Sequence, residues 1–163
     1  RGIVMRKQSV RAIAMQAIVA ALYVVLTWAV APLSFGAVQF RFSEIMILLV
    51  FVDKRYGPAM ILACALANCF SPLGIVDVIF GTAATFCAVE CIKRSKSLLI
   101  ATLWPTLFCV IIGVELNVVS DLPFLFTTFT IMLGEFVVVT CIGYPIFKAL
   151  MKNEALLKLI KLD

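Results

Sequence analysis

Four carboxylates and one guanidinium interrupt sequence that is otherwise nearly free of charge: Glu44, Asp77, Glu115, Glu135 and Arg41. An ionisable side chain inside an apolar, membrane-length segment is costly to place and by default marks a functional site. Glu135 is the sharpest of them. It follows Gly134 in an otherwise apolar run, about eleven residues into its segment, or roughly 16 Å of helical rise. An internally paired packing charge is the bland alternative. Glu44 and Asp77 fall in the first turns of their segments, where a carboxylate can also serve only as a partner to the helix dipole. Glu115 falls near the expected end of its helix, opposing the dipole, so it calls for a cation: Arg41 or a ligand. Asn68 is expected at the same level, making one polar layer with Glu44, Asp77 and Glu115. Asp121 reads as solvated, and Glu90, close to Lys93 and Arg94, as an interfacial ion pair.

Arg41 stands within Gln39-Phe40-Arg41-Phe42-Ser43-Glu44. A guanidinium flanked by aromatics and followed by a carboxylate can be a stacking lid over a ligand. It can equally be a clasp tying its loop to Glu44 or Glu115, and both readings fit the residues.

Several chemistries are absent from the pattern. No GxxxxGK[ST] phosphate loop occurs, so the chain does not itself couple ATP hydrolysis. There is no histidine, which removes HExxH and every His-dependent nucleophile; GxSxG is missing too. Cys64, Cys69, Cys87, Cys91, Cys109 and Cys141 form no CxxC pair, so neither a metal site nor a cofactor is expected. Carboxylate-only catalysis has no motif behind it.

The elements that must position these groups are membrane helices. Hydrophobic residues make up 64% of the 163-residue chain and charged residues 14%, against roughly 25% charged in soluble domains; mean hydropathy is +1.14. Thirteen of the fourteen Lys and Arg residues lie in four clusters between the apolar runs. These are Arg1, Arg6, Lys7 and Arg11; Lys54 and Arg55; Lys93, Arg94 and Lys96; and Lys148, Lys152, Lys158 and Lys161. Cytoplasmic helix ends carry such an excess, so the clusters predict an all-α bundle of six transmembrane helices with both termini cytoplasmic. They also explain the sequence pI near 9.0 without nucleic acid as a partner.

The expected helices are 12–31, 43–52, 58–70, 75–92, 98–116 and 122–151, in a single domain 1–163, with a tail, 152–163, on the inner surface. The first apolar segment reads as a retained helix, with no cleavage site of a signal peptide. Residues 32–42, with Gly36, form an outer loop, and the alternation over 38–42 suggests extended structure. Ser43 is placed as the cap of the second helix, and Pro58 at the start of the third. Ala17-xxx-Ala21 and Ala63-xxx-Ala67 have the spacing that lets helix backbones approach closely in lipid, for internal packing or for a partner.

Val38-Gln39-Phe40-Arg41-Phe42-Ser43-Glu44 resembles the QFRxSE signature of the QueT family, the queuosine-precursor substrate-binding (S) components of energy-coupling factor transporters. Three further stretches are similar to that family and occur in the same order. They are Asn68 to Asp77 (NCFSPLGIVD) running on to Phe80-Gly81-Thr82, then Gly113-Val114-Glu115-Leu116, then Gly134-Glu135. The chain departs from the pattern in having Phe108 and Cys109 where an Asn is expected shortly after Trp104-Pro105.

The resemblance implies a six-helix bundle of a prokaryotic plasma membrane that binds its ligand near the outer face, under the loop between the first two helices. It implies docking on a membrane coupling subunit of the EcfT type and two cytoplasmic ATPase subunits of the EcfA type, with Ala17 and Ala21 on the docking face. The substrate it implies is queuine or its aminomethyl precursor. Both are 7-deazaguanines with a cationic arm. A carboxylate can accept two hydrogen bonds from the guanine-like N–H edge, and such charge-assisted bonds are the strong ones. Glu44, Asp77, Glu115 and Glu135 are available for that edge and for the amine. Asn68 and Gln39 suit the carbonyl, Phe40 or Trp104 the ring, and Arg41 the lid; which carboxylate takes which task stays open. The same fold serving another purine-like or cationic nutrient, a carboxylate-using membrane enzyme, and a purely structural subunit are the alternatives.

Overall fold

The computed structural model describes residues 10–35 and 39–162. Arg1, Arg6, Lys7, Gly36 and Val38, on which expectations above fall, lie outside the described residues. Throughout the described residues the secondary structure is helical, without a strand. The principal helices are α1 (Val10–Ala29), a single turn α2 (Ala31–Ser34), α3 (Phe42–Val52), α4 (Gly57–Asn68), α5 (Ile75–Arg94), α6 (Leu98–Ser120), α7 (Phe124–Lys152) and α8 (Glu154–Ile160).

Each expected helix is matched in position to within a few residues, but not in its capacity to cross a bilayer. Among the described residues, four helices (α1, α5, α6 and α7) are long and apolar enough to do so. α3 opens with seven residues of 3-10 helix, Phe42–Leu48, before a single α-turn. It therefore spans roughly 20 Å, and α4 roughly 18 Å, against a hydrocarbon core of about 30 Å. α3 has no exposed residue, and α4 exposes only Pro58, Leu62 and Leu66, so most of their apolar residues face protein rather than lipid. Hydropathy cannot tell those two environments apart.

The helices pack as a closed ring. α1 lies against α4, α4 against α5, α5 against α6 and α6 against α7, while α3 fits between α1 and α7. Ala12, Val19, Tyr23 and Thr27 share the inward face of α1 and are buried. Ala63 and Ala67 are fully buried within α4, so that small-residue pair serves internal packing. Ala17 and Ala21, on the opposite face of α1, are exposed.

Two glycines set how closely helices approach beside the ring's centre. A Cβ at Gly81 of α5 would collide with the Asn68 amide of α4, and one at Gly113 of α6 with the Thr128 side chain of α7. Two irregular stretches flank the centre as well: the 3-10 opening of α3, and a π-helical run, Phe136–Gly143, inside α7 immediately after Glu135.

Several local expectations change. α1 ends at Ala29, and Pro32 lies in the first turn of α2 instead of only stopping the helix. The described part of 38–42 forms no strand; the Phe40 amide donates to the Leu33 carbonyl at 2.9 Å. Ser43 does not cap α3, whose cap position is Arg41 without a side-chain bond. Its hydroxyl instead pairs with that of Thr27 at 2.6 Å, inside the bundle.

At the opposite end, α8 and the residues after it are strapped to the bundle. Arg11 donates to the Leu159 carbonyl at 2.9 Å and Tyr56 to that of Ile160 at 2.6 Å, while Asp53 accepts from the Leu162 amide at 3.0 Å. Glu90 pairs with Lys93 at 2.8 Å and Arg94 at 3.8 Å at that same end.

Candidate functional site

Between the residues that precede α3, the α4–α5 turn and helices α5, α6 and α7 lie two adjoining chambers. Gln39 and Ile112 line both and form the neck between them. The four candidate carboxylates are divided between these chambers, Glu44 and Glu135 in one and Asp77 and Glu115 in the other.

The deep chamber, about 50 Å³, is lined by Arg41, Glu44 and Glu135 among walls of small and apolar side chains. Glu44 is buried and already engaged. It accepts a hydrogen bond from the buried Tyr23 hydroxyl, and its carboxylate lies 3.8 Å from Arg41. Arg41 is therefore a clasp to Glu44, one of the two alternatives left open by its sequence context. Its guanidinium also stacks on an aromatic ring, at 5.2 Å, but that ring belongs to Phe35 and not to Phe40. Glu135 faces the same chamber from α7, 7% exposed; among the described residues its carboxylate has no ion pair or hydrogen bond, and Glu44 and Arg41 act on it through space.

The second chamber, about 150 Å³, lies toward the loops and is lined by Asp77, Glu115, Phe35, Ser71, Pro72, Leu73 and Leu116 besides the neck. Asp77 enters from the first turn of α5. Glu115 is not in the last turn, because α6 runs on to Ser120, and the helix dipole acts only over that turn. What distinguishes Glu115 is burial. It is 0% exposed, neither carboxylate oxygen meets a donor among the described residues, and its neighbour is the Asp77 carboxyl. Among the described residues no Lys or Arg lines this chamber; Arg41, whose ion pair is with Glu44, acts on Asp77 and Glu115 only through space. A buried acid left without a donor is a strongly disfavoured arrangement, which binding of a donor or cation relieves.

Three candidates fall outside both chambers. Asn68 is fully buried, but its amide donates to the Asp77 carbonyl at 3.3 Å and approaches Cys64 Sγ at 3.6 Å. It thus pins α4 to the turn of α5 that carries Asp77. Phe40 packs on the hydrophobic core. Trp104 sits at the strapped end of α6, where its indole donates to Ser95 Oγ at 2.8 Å and its ring stacks on Phe108 at 6.2 Å. Asp121 is exposed, in left-handed conformation after α6.

The structure adds residues that the sequence reading passed over. Tyr23 and Thr27, polar and four apart in an apolar helix, were detectable by that spacing. Phe35, Thr85 and Ile112 carried no such signal. Cys109, at the point of departure from the family pattern, lines the deep chamber.

Comparison with known proteins agrees with a membrane transporter. A family model described as QueT transporter matches residues 13–152. The protein named Queuosine precursor transporter QueT from Lactococcus lactis subsp. cremoris (strain MG1363) is 32% identical over 149 residues, covering 81% of this chain and 88% of that relative. No solved structure matches.

Proposed function

The chain belongs to the QueT transporter family, and from that premise we propose that it binds a queuosine precursor, a 7-deazaguanine, for uptake across the membrane. It is a multi-pass protein of a bacterial plasma membrane. In our reading it is the substrate-binding subunit of an energy-coupling factor importer, with ATP hydrolysis supplied by two partner subunits and transmitted through a membrane coupling subunit.

One observation carries the ligand assignment. Glu115 is completely buried beside the Asp77 carboxyl, with no donor on either oxygen and no cation in the chamber's lining among the described residues. Such a site favours a ligand that brings donors and positive charge, which a 7-deazaguanine with an amine arm does. Gln39 in the neck can serve the carbonyl, and Phe35, stacked under Arg41, can bear on the ring from the loop side.

The placement of basic residues supports the proposed topology. Arg11, Lys54, Arg55, Lys93, Arg94 and Lys96 all lie at the end strapped by the tail, so that end is cytoplasmic, the chambers open outward, and α3 and α4 complete six crossings as the short, protein-enclosed pair. The exposed Ala17 and Ala21 then form the docking face for the coupling subunit.

Calorimetric titration of the detergent-purified protein with queuine and with 7-aminomethyl-7-deazaguanine, with guanine as control, tests the ligand. Binding of a deazaguanine but not guanine, weakened at least tenfold by Glu135→Gln, is the expected result. Absence of binding by well-folded protein overturns it.

A further inference from the structure

We propose that the two chambers divide one ligand between them: the deep chamber takes the flat base and reads its N–H edge with Glu135, and the Asp77–Glu115 chamber takes the cationic nitrogen of the 7-substituent. This assignment rests on the deazaguanine reading above and decides which precursors the site accepts.

Shape separates the tasks first. One wall of the deep chamber is Gly81, Ala84 and Ala88, spaced along one face of α5; the facing wall is Pro105, Cys109 and Ile112 of α6. Helix residues three or four apart share a face, so two rows of small or compact side chains oppose each other. Small and compact walls on two facing helices leave the space between suited to a planar ring. Glu135 projects into it from α7.

Charge separates them next. In the deep chamber Glu44 is offset by Arg41 and bonded by Tyr23, leaving a single carboxylate without a partner, Glu135. One carboxylate matches the paired, uncharged N–H donors of a guanine-like edge. The other chamber has two carboxylates, Asp77 and Glu115, both buried, with no basic residue in its lining. Arg41 reaches this pair of adjoining carboxyls only through space, from outside the lining; neutral donors add no positive charge to offset them in a low-dielectric site, whereas an ammonium does. The neck at Gln39 and Ile112 then holds the bond joining base to arm. A 7-substituent without positive charge, a nitrile above all, is discriminated against, because a site with buried polar groups rejects the analogue that leaves them unpaired.

The test compares two bases of the same ring and different arm, 7-aminomethyl-7-deazaguanine and 7-cyano-7-deazaguanine, by calorimetry on the full chain in detergent. The wild-type protein should prefer the aminomethyl base by at least tenfold. Asp77→Asn and Glu115→Gln should each lower aminomethyl affinity tenfold or more while changing cyano affinity less than threefold, collapsing the ratio. Glu135→Gln should weaken both bases by similar factors and preserve the ratio. Equal wild-type affinity for the two bases overturns the assignment without any variant being needed. So does a ratio that collapses with Glu135→Gln and survives both outer variants. Either result leaves the deazaguanine reading standing, whereas failure of well-folded wild-type protein to bind either base removes both.

Discussion

Glu115 and Glu135 are stationed in the bundle without a donor among the described residues, and that shapes what substitution does at the scale of the residue. Glu115→Gln removes a buried carboxylate that meets no donor among the described residues and adjoins the Asp77 carboxyl, so the ligand-free protein should melt at the same temperature or higher, while affinity for an amine-bearing deazaguanine falls at least tenfold. A thermal melt beside a titration reads both signs in one preparation; a loss of stability together with binding would mean that the carboxylate serves packing. Gly113 behaves in the opposite way. A Cβ there meets Thr128 of α7, and overpacking of this kind costs about 1–3 kcal/mol. Gly113→Ala should lower the melting temperature with ligand absent, and binding should follow only insofar as α6 and α7 are pushed apart.

At the scale of the element, the irregular helices adjoin the chambers. The 3-10 opening of α3 carries Ser43 and Glu44, and its hold on α1 runs through the Ser43–Thr27 and Glu44–Tyr23 contacts. The π-helical run Phe136–Gly143 begins where Glu135 ends. A π segment carries extra residue per turn relative to an α-helix and is commonly found at functional sites. A π-turn holds about one residue more than an α-turn, so deleting Val137 should let the run close to α-helix with Glu135 near its present phase. Far-UV circular dichroism and base binding are then expected to be retained. Lost binding in well-folded protein would show that the π-run itself aims Glu135.

At the scale of the whole molecule, the chambers and the strapped end are separate devices. Asp53 lies outside the membrane-spanning helices. Burial works to raise its carboxyl pKa, but the Arg55 side chain and the Leu162 and Arg55 amides outweigh that and hold it below its ordinary value of 3.8. A carboxyl whose pKa is depressed by folding adds stability that is present above its unfolded pKa and lost as pH falls through the folded one. The strap should therefore stay closed at neutral pH and loosen below about pH 4. Amide exchange over residues 159–162, normalised for the intrinsic rate, should rise there, and Asp53→Asn should remove the pH dependence. On the other face, Ala17→Leu with Ala21→Leu should leave base binding in detergent unchanged and abolish uptake in cells that supply the coupling and ATPase subunits. Unchanged uptake would remove those two positions from the docking face.

Hydropathy and the placement of Lys and Arg were enough to locate every long helix and to single out Glu44, Asp77, Glu115 and Glu135, because an apolar chain advertises each charge it carries. The QFRFSE stretch likewise led to the correct family. The division of those carboxylates into an engaged one, a solitary one and an adjoining pair could not be read along the chain. Asp77 and Glu115 are thirty-eight residues apart in sequence, and they share a chamber only because α5 and α6 run antiparallel at the contact distance of packed helices. Trp104 and Asn68 show the same limit from the other side. Both have the right chemistry for a ring or a carbonyl, but helix phase and depth turned one toward Ser95 and the other into the α4–α5 contact. A residue's type sets what it can bind; whether it meets the ligand is set by rotation about a helix axis and height along it, which packing fixes across the ring.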